Sequence, residues 1–161
     1  MRTSFLPERL AIGVLVAALA AALTPSPAAD AGGRAAYVGG TLAHLPPKAG
    51  GRIRTADQET FVFEMDRSRV QVPYDSINLL EYGQQAGRRY IMAIVVSPVF
   101  LLTKARKHFL TVAYKDEEGR QQAMVFRLNK SDVRAVLAGL EARTGLKVEF
   151  QDGEARKAGG G

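Results

Sequence analysis

The chain contains no cysteine, which excludes a thiol nucleophile, a cysteine-built zinc site and any disulfide framework, so stability must come from burial and hydrogen bonding. Histidine is almost as scarce, with only His44 and His108. His44 stands in a proline-rich stretch without an acidic neighbour in sequence. His108 opens a strand within a basic cluster, which disfavours its protonated form. Both read as surface residues rather than catalysts. No His-Glu-x-x-His, Gly-x-Ser-x-Gly or Gly-x-x-x-x-Gly-Lys pattern occurs, so the zinc-hydrolase, serine-hydrolase and phosphate-loop routes have no support. Nor is there an apolar run of the roughly 20 residues that a membrane-spanning helix needs.

The longest apolar run, 10–23, has fourteen residues. Arg2 and Arg9 precede it and a small, proline-rich stretch over 24–31 follows, the order of a secretory signal peptide. Ser26 with Ala28, or Ala29 with Ala31, satisfies the small-x-small cleavage rule, which places a cut after a residue between Ala28 and Ala31, with 1–29 taken as the signal segment. An uncleaved N-terminal anchor is the alternative, and on either reading the domain is exported: periplasmic or extracellular, or held at the membrane by the retained segment. Removing 1–29 takes away Arg2, Arg9 and Glu8 and lowers the net charge from +6 to +5. A modestly basic exported chain points to acidic surfaces, such as anionic lipid or cell-wall polymer, before nucleic acid.

What remains is one domain. Of the 161 residues, 47% are apolar and 24% charged, enough chain and enough apolar surface for a single core. Residues 28–34 read as a flexible leader, 35–150 as the folded unit, and 151–161, with little apolar to bury, as a disordered tail. Within the folded unit short segments alternate apolar and polar residues with period two between turn residues, which predicts antiparallel strands with one buried face. They lie near Tyr37 and over 52–55, 60–65, 69–73, 77–82, 90–96, 109–114 and 120–128. Phe61, Phe63 and Met65 share one face, and Val70 and Val72 point inward beside outward Arg69 and Gln71. The pattern changes at the C-terminus. Asn129 or Ser131 offers a cap, Asp132 places negative charge at the positive end, and Val133, Val136, Leu137 and Leu140 recur at helical spacing until Gly145. The fold class is therefore mainly β with one C-terminal helix. Leu146, Val148 and Phe150 alternate as a short edge strand would.

The segment Arg69-Val-Gln-Val-Pro-Tyr-Asp-Ser-Ile-Asn-Leu-Leu-Glu-Tyr82 resembles the fourth and fifth strands of bacterial pleckstrin-homology-like and GRAM-like domains. About seven strands followed by one helix is the order of that superfold, over roughly 37–144. Tryptophan, which eukaryotic members usually carry in the terminal helix, is absent here. The resemblance implies about seven antiparallel strands in a curled sheet or open barrel plugged by the helix, and a non-enzymatic binding module rather than a catalyst, without cofactor. It carries over no ligand residues, since Arg52 and Arg54 do not match the basic first hairpin of lipid-reading members.

Charge is segregated in one place. Between Tyr82 and Tyr114 stand Arg88, Arg89, Lys104, Arg106 and Lys107 and no Asp or Glu. In its middle, 97–102 is apolar and contains Pro98, and it runs into the cations. An apolar loop bordered by cations suits a membrane or envelope surface, where apolar side chains enter the interface and cations stay at headgroup level. The candidate contact residues are Arg88, Arg89, Phe100, Leu101, Lys104, Arg106 and Lys107, against an anionic surface or an unknown protein partner. The alternative is that 99–102 fold back over one end of the barrel. The carboxylates Asp57 and Glu59, and Asp116, Glu117 and Glu118, fall in hairpin turns, where solvation explains them better than a metal does. Phe61, Phe63, Phe109 and Phe126 alternate as core residues, which makes nucleic-acid stacking the less economical reading.

Overall fold

The computed structural model describes residues 32–42, 44–84, 95–96 and 107–160. Alternation becomes strand as the period of two requires. β1 runs Gly32–Gly40, β2 Gly50–Arg54, β3 Thr60–Glu64 and β4 Arg69–Pro73. A 3-10 turn, Tyr74–Ser76, leads into β5, Ile77–Gly83, and the short β6, Val95–Val96, lies beyond it. β7 is His108–Lys115, β8 Gln121–Leu128 and β9 Glu149–Phe150. A further 3-10 turn, Lys130–Asp132, precedes helix α1, Val133–Thr144, and helix α2 is Gly153–Gly159.

The strands form one sheet in the order β4-β3-β2-β1-β8-β7-β5-β9, with β6 paired to β1, and the sheet does not close on itself. Two antiparallel meanders, β1 to β4 and β5-β7-β8, are joined through the β1–β8 ladder, where Tyr37 stands opposite Phe126. The expected count of about seven antiparallel strands is exceeded by the two-residue strands β6 and β9, and β9 pairs with β5 in parallel. β6 is the described part of the strand expected over 90–96, and β9 falls at the end of the edge strand expected from Leu146, Val148 and Phe150.

The inner face of the curled sheet holds the main core. Tyr37, Ile53, Phe61, Phe63, Leu80, Tyr82, Leu110, Met124 and Phe126 are at most 2% exposed there. Phe126 sits at its centre, with ring centroids 4.8 Å from Phe63 and 5.9 Å from Phe61. One layer cannot bury this surface alone, and α1 supplies Val133, Val136, Leu137 and Leu140 to the same cluster. The helix approaches β2 so closely that a Cβ on Gly139 would lie 2.4 Å from Thr55 Oγ1. Arg143 fixes its far end by donating to the Thr55 and Ala56 carbonyls.

Three local expectations are corrected. The N-cap of α1 is Asp132 rather than Asn129 or Ser131. Its carboxylate is spent on the Arg34 backbone N–H and the Ser131 hydroxyl, which ties the helix start to β1. Residues 32–34 belong to β1 rather than to a leader. Where a disordered tail is expected, α2 forms: Asp152 accepts from the Ala155 N–H at 2.7 Å, and Ala155 is fully buried. Gly145 ends α1 in the left-handed region at φ 70°, as the sequence predicts.

Candidate functional site

At the end of the sheet where β1 runs into Thr41 and β7 turns into β8, a groove of about 680 Å³ lies between three chain segments. The β1–β2 loop contributes Thr41, Leu42 and His44, the β4 end and its turn contribute Gln71, Val72, Pro73 and Ser76, and the β7–β8 hairpin contributes Tyr114, Lys115, Asp116, Glu117, Glu118, Arg120 and Gln122. The loop is stitched to the sheet through Thr41, whose backbone N–H donates to the Ala123 carbonyl at 3.0 Å while its Oγ1 accepts from the Ala123 N–H at 3.1 Å. Tyr37 donates weakly to the Leu42 carbonyl at 3.5 Å, and burial pushes its hydroxyl up to about 12.

Asp116 organises the hairpin. Oδ1 accepts from the backbone N–H groups of Glu118 and Arg120, and Oδ2 accepts from Arg120 Nε at 2.9 Å and Gln122 Nε2 at 2.7 Å. Burial raises its pKa, but the bonds from Gln122 and Arg120 outweigh that and bring it down to about 2. Gly119, at φ 76°, closes the turn, and Arg120 also reaches Glu118 at 3.0 Å. The groove thus sets apolar groups, Leu42, Val72, Pro73 and Tyr114, beside charged ones of both signs, and its central carboxylate is an ionised structural group with all its capacity engaged. Asp57 plays the same part in the β2–β3 turn, where its Oδ1 accepts from the Glu59 and Thr60 N–H groups and its pKa is lowered by those bonds. Among the described residues no cluster of three histidine or acidic side chains is placed to hold a metal ion.

Of the sequence-predicted contact residues, Arg88, Arg89, Phe100, Leu101, Lys104 and Arg106 lie outside the described residues, and Lys107 stands half-buried immediately before β7. His108, expected at the surface, is instead half-buried, with Nδ1 against the Tyr82 hydroxyl. Burial, and secondarily Lys130, lower its pKa, which favours a neutral imidazole beside the Tyr82 hydroxyl, itself pushed up to about 12 by burial. Arg54, discounted as a ligand residue, pairs with Glu64 across β2–β3 at 2.6 Å. His44 is exposed beside the groove. The groove itself is invisible in sequence, because its walls are 30 to 80 residues apart and meet only through the β1–β8 ladder. Comparison with protein-family models and with curated proteins finds no match for this chain.

Proposed function

We propose that this chain is a non-enzymatic, exported binding module of pleckstrin-homology-like architecture. The observation that carries the reading is the difference between the two ends of its curled sheet. One is filled by α1, and the other opens into a groove walled by three separate loops. Seven principal antiparallel strands followed by a helix, with two short strands added at the margins, agree with the order that the resemblance implies. Loops on a rigid sheet are the usual place for recognition. The groove offers apolar contact beside charges of both signs, which suits an amphipathic segment of a partner protein.

A photo-crosslinking residue placed at Gln71 or Glu117 of the full chain, expressed in its own host, tests this. A discrete adduct from these positions and none from Ala138, on the exposed side of α1, is the expected result. Adducts from Ala138 alone, or from no position, contradict the groove as contact surface.

The acid-free stretch between Tyr82 and Tyr114 favours a second reading, a peripheral membrane or envelope-associated protein that meets anionic surfaces through 97–108. Arg88, Arg89, Lys104, Arg106 and Lys107 would supply on the order of 1 kcal/mol each against anionic lipid. Co-sedimentation with phosphatidylglycerol vesicles that weakens at least tenfold on K104E/R106E/K107E supports it. Binding that is indifferent to the triple change speaks against it.

A further inference from the structure

Strand β4 ends the sheet, and among the described residues its one ladder partner is β3. Two bonds at the ends of that ladder fix which backbone groups of β4 are committed. The Met65 N–H donates to the Ser68 carbonyl at 2.8 Å, and the Tyr74 N–H donates to the Glu59 carbonyl at 2.9 Å. Hydrogen-bonded pairs alternate along an antiparallel ladder. With Val70 opposite Phe63 and Val72 opposite Phe61, those two residues bond to β3. The N–H and C=O groups of Arg69 and Gln71 therefore point away from the sheet. Pro73 has no N–H to offer, and its carbonyl accepts from the Ser76 hydroxyl at 2.8 Å. Arg69, Gln71 and Pro73 are all exposed, so the edge is open over the length of one short added strand.

The two faces beside this edge differ in chemistry. On the outer face the register places Arg34, Arg52, Glu64 and Arg69 in one row across β1 to β4, with Arg54 two residues along β2 from Arg52. Arg54 Nη1 holds Glu64 Oε2 at 2.6 Å, and Asp132 meets Arg34 at 3.8 Å. Arg69 stands at the margin of the row and enters no ion pair among the described residues. On the inner face, Val70 beside it is only partly buried.

We infer that the outer edge of β4 takes an extended segment of the partner as a further strand, and that this segment alternates acidic and apolar residues. The inference rests on the binding reading and makes the groove a continuation of the same contact, because Gln71, Val72 and Pro73 are among the groove's walls. Side chains of an added strand fall alternately on the two faces, so its acids would meet Arg69 while its apolar residues lie against Val70. The outer face already holds one strand-borne carboxylate in this way, Glu64. A short edge strand with an outward arginine and a terminal proline resists indiscriminate pairing, which leaves charge to choose the occupant. A second copy fits worse. Centring a two-fold axis on Gln71 sets Pro73, without an N–H, opposite Arg69, and centring it on Val70 makes the two Arg69 side chains diagonal neighbours of like charge.

Residue-resolved amide exchange of the full chain, with a capped octapeptide of alternating Val and Glu in excess, tests this. The Arg69 and Gln71 amides are expected to exchange about tenfold more slowly with the peptide, and the matching peptide of Val and Lys to leave them unchanged. R69E is expected to weaken the acidic peptide about tenfold, since a favourable cross-strand pair becomes a like-charge pair. The same variant is expected to gain protection from the basic peptide. Should R69E lose the fold, Arg69→Gln decides, with the same loss for the acidic peptide in direction. Slowing at Leu42 and Glu117 without Arg69 and Gln71 overturns the strand addition and leaves the groove standing as a contact surface. No slowing at any of these positions overturns it as well, and crosslinking from Glu117 then judges the binding reading separately. Protection of Arg69 and Gln71 that grows with chain concentration alone identifies a second copy as the occupant and contradicts the inference.

Discussion

Asp116 and His108 both contribute to the pH dependence of this fold, with the same sign and in different windows. The Asp116 carboxyl lies at about 2 in the folded chain against an ordinary 3.8. Its contribution to stability is therefore complete above the ordinary value and is lost as pH falls through about 2. His108 is also lowered, by burial first and then by Lys130. The unfolded chain takes up that proton first, so stability declines as pH falls below 6.5, the ordinary histidine value. Urea titrations between pH 4 and 8 are expected to show the decline, and His108→Gln to flatten it. A wild-type profile flat across that range contradicts the neutral His108–Tyr82 pair. Tyr74 supplies a contrast: its hydroxyl is buried without a hydrogen-bond partner. Removing such a group restores nothing to be lost, so Tyr74→Phe is expected to leave stability unchanged or raise it by up to about 1 kcal/mol. A loss of more than that would mean a partner for the hydroxyl.

At the scale of elements, α1 is the piece whose loss the fold cannot absorb. Leu140 is fully buried at its centre, and Leu140→Ala is expected to cost about 2–5 kcal/mol, measured by chemical denaturation. Gly139→Ala decides between two opposed effects. Alanine is worth up to about 1 kcal/mol more than glycine inside a helix, but here its methyl would stand 2.4 Å from Thr55 Oγ1. The clash is expected to win and the variant to be less stable; a gain would mean that the helix can ride up from β2 freely. This element was legible in sequence, as were β3, β4 and the turns at Asp57 and Asp116, because each is declared by its own periodicity or turn chemistry. The cap at Asp132 was not, since a contact with Arg34 across 98 residues decides it. The signal for α2 was present but short: Asp152 followed by Ala155 and Ala158, a cap and two small apolar residues at helical spacing. Burial of Ala155 against the core makes a helix of seven residues stable where its local sequence would not.

At the scale of the whole molecule, the expectation of one buried face holds for only part of the sheet. β3 and β4 alternate between buried and more exposed residues, whereas six consecutive residues of β7, 109–114, and four of β8, 123–126, are buried. The sequence carries this distinction in the texture of 109–114, apolar but for Thr111, which alternation alone does not separate from a one-sided strand. The groove and the doubly buried half of the sheet both depend on pairings between distant segments, and no local pattern encodes them. The resulting molecule has a two-sided half and a one-sided half, with the three loops of the groove at the open end. Native-state amide hydrogen exchange, resolved by residue, tests this division most directly. The account predicts that Leu110 to Tyr114 and Met124 to Phe126 exchange at least tenfold more slowly than Val62 and Val70 to Val72. Equal protection across the sheet, or faster exchange in β7 and β8 than in β3 and β4, would contradict it.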